Sequence, residues 1–324
     1  MIEIKKSLQK HFGFEQGFYW NKTLDEFRED VADAIKYNKA FAIVGPAGAG
    51  KNVLYDETVE SIKEDVIYIN VRNYYKERLD ISSIINAVIY DISDETPRRD
   101  LEARSRQFIR LIGKKKGLIG ENENNKDTLI SILINEGHRI HANTYRALKE
   151  LHETALRKIS PLFSIIVTGQ NGLGDKIRDK NEVLFRFKMI ELNESNNYYT
   201  YQQRVAYINK VFGRAVNDDA ARRIAAICFY PLEINFYIEQ KMEEAKKAGK
   251  KIIDGEVVKP TNKQLKEALN LSLKDIADES GFAKTTIHDI LVSPEHPKSD
   301  EVRLAIERLN QKQNGKKISF GKVG

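Results

Sequence analysis

The chain has 324 residues, of which 31% are charged and 41% hydrophobic, and its net charge is +6. This length allows two or three domains with real cores, and the composition is ordinary for a soluble protein. A single cysteine, Cys228, excludes an intrachain disulfide framework, so we expect a reducing, cytoplasmic setting. Because nothing reaches transmembrane length and the first residues lack an apolar signal core, we expect no membrane partner. The positive charge suits nucleic acid, or it serves solubility alone.

The first third of the chain alternates between helical and strand patterns. Thr23 is expected to cap a helix over residues 24–37. The apolar runs 40–44 and 66–71 predict strands, and residues 81–92 have helical spacing. Strands that alternate with helices predict an α/β domain with a mostly parallel sheet.

A glycine-rich loop follows the first apolar run and precedes a helical stretch over residues 53–63. It reads Gly45-Pro46-Ala47-Gly48-Ala49-Gly50-Lys51-Asn52. Strand, glycine-rich loop and helix together are typical of a phosphate-binding loop. Its backbone N–H groups would cradle phosphate oxygens, and Lys51 would bring positive charge to the β- and γ-phosphates. Asn52 stands where a Ser or Thr hydroxyl normally holds Mg²⁺. The alternative is a turn that merely connects a strand to a helix.

Residues 97–116 form a strongly basic segment. Its candidate DNA-binding residues are Arg98, Arg99, Lys114, Lys115 and Lys116. A basic helix that ends in a lysine triplet suits contact with phosphates. The alternative is a solvated helix face that carries its cations near the helix C-terminus.

The apolar run over residues 129–134 ends in Asn135 and Glu136. In P-loop NTPases a carboxylate at the first of these positions binds Mg²⁺, and in many ATPases the next Glu orients the attacking water. Here the Mg²⁺ position is a neutral amide, while the glutamate is present. The alternative is a buried strand that ends at a polar turn.

A later apolar strand pattern covers residues 164–170 and has a polar end. Thr168 and Gln170 are the candidates there for contact with the γ-phosphate or the attacking water. Among the basic residues that follow, Arg186 is a candidate arginine finger toward a neighbouring subunit's phosphate. The alternative for Arg186 is ordinary surface charge.

The last third of the chain is mainly helical. The pattern from 195 to 247 indicates a small helical lid, and we expect domains over 1–193, 194–260 and 261–324. In the last of these, two short helices over 272–280 and 283–291 flank Gly281, as a helix-turn-helix requires. The candidate base-reading residues are Lys284, Thr285, Thr286 and His288. The basic tail suits the phosphate backbone, and the alternative is a three-helix packing module without a DNA role.

The order of these motifs resembles the AAA+ ATPases that select DNA targets for transposases, typified by the phage Mu B transposition protein. The C-terminal module is similar to lac-repressor-type helix-turn-helix modules. The residues that carry the first resemblance are His11-Phe12-Gly13-Phe14, the glycine-rich loop, Pro97-Arg98-Arg99, Ile134-Asn135-Glu136-Gly137-His138-Arg139-Ile140, Thr168-Gly169-Gln170 and Leu184-Phe185-Arg186.

This resemblance implies a P-loop AAA+ domain with a parallel sheet, a small helical lid and a C-terminal helix-turn-helix module. It implies ATP and Mg²⁺ as cofactors, with the loop residues Gly45 to Asn52 and Asn135 at the nucleotide. It also implies double-stranded DNA, a DDE transposase and further copies of the chain as partners. Such proteins polymerise on DNA with ATP and form an AAA+ oligomer or a helical filament. The resemblance further implies that a mobile element or phage encodes the protein.

Three residues depart from the family's pattern. Asn52 and Asn135 replace the hydroxyl and the carboxylate that hold Mg²⁺, and Glu233 stands where the lid arginine usually lies. An amide oxygen still ligates Mg²⁺, weakly, but brings no charge. Losing transition-state charge stabilisation typically lowers the rate by a factor of about 10²–10³ for each group. The sequence therefore favours an ATP-binding assembly switch with impaired hydrolysis over an active motor.

Another class of function is left open by the same residues. A P-loop domain can serve as a ligand-controlled dimerisation scaffold, and the chain would then be a sequence-specific transcription or replication regulator. Long ATP-dependent filaments on any duplex are expected of the transposition regulator. A small complex on one site is expected of the alternative.

Overall fold

The computed structural model describes residues 4–15, 19, 21–62, 65–71, 79–119, 128–255, 258, 262–263, 266, 269–292 and 297–314. The chain divides into two compact units. One is Trp20–Tyr198, and the other joins Met1–Tyr19 to Tyr199–Gly324. Among the described residues, no helix combines the length and the apolarity that crossing a bilayer requires.

The regular elements alternate in the first unit and are helical in the second. The strands are β1 (Ala40–Val44), β2 (Val66–Val71), β3 (Leu129–Ile134), β4 (Ser164–Gly169) and β5 (Phe187–Glu191). The helices are α1 (Lys6–Phe12), α2 (Lys22–Lys36), α3 (Lys51–Ser61), α4 (Ile81–Ile92), α5 (Leu101–Lys115), α6 (Ala142–Glu153), α7 (Asn171–Arg178), α8 (Asn181–Leu184), α9 (Tyr201–Phe212), α10 (Asp218–Ile227), α11 (Pro231–Lys247), α12 (Leu273–Ser280), α13 (Lys284–Val292) and α14 (Ser299–Asn314).

The five strands form one parallel sheet in the order β2-β3-β4-β1-β5. Strand β1 lies between β4 and β5, with Val44 opposite Gly169 on one side and Glu191 on the other. The central strands are buried along almost their whole length because helices cover both faces of a parallel sheet, which is why they read as continuous apolar runs. The predicted α/β class with a parallel sheet is confirmed.

Strand β5 is the element that the sequence prediction missed. It lies at the edge of the sheet, and only Phe187 and Ile190 of its five residues are buried. An edge strand carries a short, mixed pattern, and here Lys188 and Glu191 interrupt the apolar positions. The signal that was available is the alternation of exposed and buried positions at Phe187 and Lys188.

The predicted start of helix α2 was wrong. Helix α2 is capped by Asn21, whose side-chain oxygen accepts from the backbone N–H of Leu24 at 2.9 Å, and not by Thr23. Asn and Thr are both good caps, so the choice between near neighbours depends on the chain's path into the helix.

The C-terminal helices α12, α13 and α14 pack around their own apolar cluster. Ile276, Ile287, Ile290 and Val302 are fully buried in it. Helix α12 begins with a capping box between Ser272 and Asp275, and it ends at Gly281. That glycine has a φ of 76°, which the tight turn requires and which side chains disfavour. The basic tail over residues 310–324 lies largely outside the described residues.

A buried hydrogen bond joins α3 to the centre of the sheet in the first unit. Tyr55 is fully buried and donates to the Ser131 hydroxyl on β3 at 2.7 Å. Burial raises the pKa of Tyr55 well above its ordinary value, so the hydroxyl stays protonated and able to donate.

We expect Tyr55→Phe to lower the free energy of unfolding by about 1–3 kcal/mol, because the Ser131 hydroxyl loses its buried partner. Thermal unfolding followed by circular dichroism measures the change. Tyr90→Phe is the matched control, since Tyr90 is 65% exposed on α4. Equal stability of the two variants would contradict a structural role for the Tyr55 hydroxyl.

Candidate functional site

The glycine-rich loop lies at the carboxyl end of β1. Gly48 and Gly50 have φ values of 80° and 85°, a left-handed conformation that other residues rarely adopt. Gly45 donates its backbone N–H to the Gly169 carbonyl at 3.1 Å, and a Cβ on Gly45 would lie 3.0 Å from the Leu192 Cβ. The glycines thus allow the backbone to turn tightly and lead directly into α3. Backbone N–H groups at such a helix N-terminus suit an anion.

Lys51 is the first residue of α3 and arches back over the loop. Its Nζ donates to the Gly45 carbonyl at 2.9 Å and to the Pro46 carbonyl at 2.8 Å. Partial burial lowers the pKa of Lys51, and the nearby Glu136 carboxylate raises it in opposition. The ammonium group therefore lies at the mouth of the loop, where phosphate oxygens would replace the two carbonyls as acceptors.

Thr168, Asn52 and Asn135 meet where β4, α3 and β3 converge. The Thr168 hydroxyl lies 2.8 Å from the Asn135 Oδ1 and 3.3 Å from the Asn52 Oδ1, and it donates toward both amides. Thr168 is 2% exposed, so its proton is shared within the protein rather than with bulk water. The structure thus brings the three predicted residues together.

The same chain of hydrogen bonds continues to β2. The Asn135 amide nitrogen donates to the Asn70 Oδ1 at 2.9 Å, and the Asn70 nitrogen donates to the Tyr68 hydroxyl at 2.7 Å. We call Asn52, Thr168, Asn135, Asn70 and Tyr68 the amide network. Sequence reasoning missed Asn70, and the available signal was a polar residue near the end of an apolar strand.

The amide network does not offer the ligands that Mg²⁺ prefers. Asn52 and Asn135 present neutral oxygens, and each already accepts from Thr168. Protein sites for Mg²⁺ usually include at least one carboxylate. In the part of the chain that the structure describes, no group of three or more His, Cys, Asp or Glu side chains is placed to hold a metal ion. The residues at the loop therefore fit phosphate, and those beside it do not fit Mg²⁺.

Glu136 lies just beyond the network with its backbone in the left-handed region, at a φ of 58°. Non-glycine residues seldom adopt this conformation, and it recurs at functional sites. The carboxylate is 3.5 Å from His138 Nε2 and 3.7 Å from Arg139 Nε. Burial lowers the pKa of His138, and the Glu136 charge partly offsets this. Glu136 is thus at the expected strand end, and it lies beside a basic side chain.

Gln170 and Arg186 lie in different places relative to the loop. Gln170 follows β4 and is exposed, and its backbone N–H donates to His138 Nδ1 at 3.4 Å. Arg186 precedes β5, whose first residue pairs with Ala40 at the start of β1. Arg186 therefore lies at the amino ends of the strands, whereas the loop lies at their carboxyl ends. Its Nε is 2.7 Å from a Glu153 oxygen. It does not reach the loop of its own chain.

No protein-family model matches the sequence, and no curated protein sequence matches it either. Among solved structures, the chain is similar to Cdc6p from Pyrobaculum aerophilum, with 14% identity, a TM-score of 0.52, and coverage of 97% of this chain and 86% of that chain. It is also similar to a chain of Drosophila ORC bound to DNA, with 12% identity, a TM-score of 0.52, and coverage of 99% and 83%.

The chain shares the α/β fold of these structures, with its five-stranded parallel sheet. These identities are low, so the likeness concerns the fold alone. Within that fold the phosphate loop follows β1, which lies between β4 and β5. The polar ends of β2, β3 and β4 then meet beside the loop because all the strands run in the same direction.

The basic segment over residues 97–116 is exposed in part. Arg98 and Arg99 are exposed, and the Arg104 guanidinium donates to their carbonyls at 2.7 and 2.9 Å, which orders the turn before α5. Lys114 and Lys115 are exposed at the end of α5. Lys116 is only 8% exposed, and burial lowers its pKa. The exposed cations therefore do not include the third lysine of the triplet.

The second unit presents the other predicted residues. On α13, Lys284, Thr285 and His288 are exposed and Thr286 is half-buried. Glu233 accepts from the Phe229 backbone N–H at 2.8 Å, so its carboxylate holds the residue that precedes the N-cap of α11.

We expect Thr168→Val to lower the free energy of unfolding by about 1–3 kcal/mol, because two amide oxygens lose a buried donor while the side-chain shape is kept. Urea denaturation measures this loss. The control is Thr154→Val, since Thr154 is exposed just after α6 and its hydroxyl donates to the nearby Glu150 carbonyl at 3.0 Å. A Thr168→Val protein as stable as this control would show that the network does not support the fold.

Proposed function

We propose that the chain is an ATP-binding, DNA-binding oligomeric regulator of DNA transposition whose nucleotide controls assembly more than it fuels work. The observation that carries the proposal is the phosphate loop with Lys51 at its mouth beside a neutral amide network. The loop provides for nucleotide binding. The network provides little of the charge that rapid hydrolysis needs.

The triphosphate would lie along the loop from Gly45 to Asn52. Backbone N–H groups of the loop and of the first turn of α3 would donate to its oxygens, and Lys51 would turn from two carbonyls to the β- and γ-phosphates. In ATP hydrolysis the water oxygen forms a bond to the γ-phosphorus while the bond from that phosphorus to the β–γ bridging oxygen breaks. ADP is the leaving group, and inorganic phosphate is the other product. Glu136, Thr168 and Gln170 are the proposed residues around that water, with Arg186 of an adjacent copy as the proposed arginine finger.

Hydrolysis is expected to be slow or absent. Asn135 replaces a carboxylate, the Thr168 hydroxyl is committed to two amides, and Glu136 lies near Arg139. Each group lost from transition-state stabilisation typically lowers the rate by a factor of about 10²–10³.

Two surfaces are proposed for double-stranded DNA. One consists of the exposed cations Arg98, Arg99, Lys114 and Lys115, which suit phosphates of any sequence. The other is α13, where Lys284, Thr285, Thr286 and His288 would face base edges if the C-terminal helices act as a helix-turn-helix. One structurally similar protein, Drosophila ORC, is known bound to DNA.

Target selection and recruitment of a DDE transposase are proposed from the motif resemblance. The glycine-rich loop, the stretch from Ile134 to Ile140 and the basic turn at Arg98 and Arg99 carry it. Assembly of several copies along DNA would present many recruitment sites to the transposase.

A nucleotide-controlled, sequence-specific transcription or replication regulator is the second candidate. The observation that favours it is the fold likeness to Cdc6p and ORC, which extends over nearly the whole chain. The two candidates differ in their complexes with DNA. Electron microscopy would distinguish extended filaments on any duplex from compact complexes at a single site.

We expect Lys51→Ala to weaken ATP binding by about tenfold or more, because a charge-assisted hydrogen bond is worth about 1.5–3 kcal/mol. Loss of ATP-dependent assemblies on DNA should accompany the change in electron micrographs with a non-hydrolysable ATP analogue. Lys22→Ala is the control, since its side chain is 91% exposed on α2. Unchanged ATP affinity in the Lys51 variant would contradict a nucleotide site at the loop.

We expect Lys114→Ala/Lys115→Ala to weaken binding to all duplexes alike and to reduce the slope of log affinity against log salt by about one to two. Fluorescence anisotropy at several salt concentrations measures both. The matched control is Lys246→Ala/Lys247→Ala, a pair of exposed lysines in the last turn of α11. The same slope in both variants would place DNA elsewhere.

A further inference from the structure

We propose that this chain binds nucleoside triphosphate without a divalent cation, and that the amide network takes the place a metal ion would occupy. The inference rests on the nucleotide binding proposed above and adds the chemical form of the ligand, a metal-free triphosphate. It assigns a positioning role to Asn70.

The two oxygens that could coordinate a metal ion already accept hydrogen bonds within the protein. The Asn52 and Asn135 oxygens both accept from the Thr168 hydroxyl, at 3.3 and 2.8 Å. The single proton of the Thr168 hydroxyl is therefore directed toward these two amide oxygens. The carboxylate of Glu136, which follows Asn135 in the chain, lies near His138 and Arg139. Mg²⁺ gives up its water reluctantly, and neutral amides alone offer it little in return.

The hydrogen bonds of Asn135 and Asn70 run in one direction, from Asn135 to Tyr68. Asn135 accepts through its oxygen and donates through its nitrogen to Asn70, which donates in turn to Tyr68. Both ends of the Asn135 amide are therefore engaged by described residues, its oxygen by Thr168 and its nitrogen by Asn70. Asn70 thus positions the Asn135 oxygen toward Thr168, where it accepts a hydrogen bond.

The charge of the triphosphate also favours neutral side chains beside it. A triphosphate without a metal is more negative than its Mg²⁺ complex, so a carboxylate beside it would repel it. Two amides avoid that repulsion. In the part of the chain that the structure describes, no group accepts a hydrogen bond from the Asn52 amide nitrogen, which leaves this N–H available to a phosphate oxygen. Together with Lys51 and the loop N–H groups, it supplies donors where an ion would otherwise bridge the phosphates.

Isothermal titration calorimetry of the full chain with ATP tests the inference, once in excess EDTA and once in millimolar MgCl₂. We expect ATP binding in MgCl₂ to be no tighter than in EDTA, because the site needs no metal and Mg²⁺ takes up the free triphosphate that the site would bind. ATP binding that is at least about tenfold tighter with Mg²⁺, equivalent to about 1.4 kcal/mol, would overturn the inference while leaving the proposed nucleotide binding intact. Absence of ATP binding under both conditions would refute the proposed function itself, and this inference with it.

The double variant Asn52→Thr/Asn135→Asp provides the complementary test. We expect the network to tolerate it, because the Asn70 amide can turn over, donate to the new carboxylate and accept from the Tyr68 hydroxyl. We expect ATP binding by this variant to weaken in EDTA and to become at least about tenfold tighter with Mg²⁺. Asn143→Asp, an exposed change in the first turn of α6, is the control and should bind ATP no more tightly with Mg²⁺ than without it. A folded double variant that also ignores Mg²⁺ would overturn the role assigned to the amides.

Discussion

The hydroxyl of Thr168 is the contact on which the candidate site depends. It is buried at the end of β4 and is directed toward one amide from α3 and one from β3. A single proton therefore couples the helix that follows the phosphate loop to the strand that precedes Glu136. Since every member of this network is neutral, the site gains order without the charge that a metal would require.

The parallel sheet makes this arrangement possible. All five strands have their carboxyl ends on the same side of the sheet, so the loop after β1 and the polar ends of β2, β3 and β4 lie side by side. Residues at the amino ends of the strands are far from the loop for the same reason, and Arg186 lies there beside Glu153. Within one chain, the proposed nucleotide-binding residues are therefore at one end of the strands, and Arg186 would act only on a neighbouring copy.

Charge is distributed unevenly between the site and the surfaces proposed for DNA. At the loop, Lys51 is partly buried and has a lowered pKa, whereas Lys114 and Lys115 are exposed at the end of α5. A partly buried cation is suited to one precisely placed anion, and exposed cations suit a mobile, hydrated backbone. The two proposed phosphate contacts would therefore differ in how far their lysines are buried.

The sequence by itself determined the phosphate loop, four of the five strands, the pair Asn135 and Glu136 and the turn at Gly281. Apolar periodicity and special backbone conformations are local properties, so these features can be predicted from neighbouring residues. Only the tertiary structure decided that Thr168 binds two amides, that Asn70 belongs to the site, that Lys116 is buried and that β5 completes the sheet. Those outcomes depend on residues distant in the chain, whose approach is set by strand order and packing and leaves no pattern within either segment.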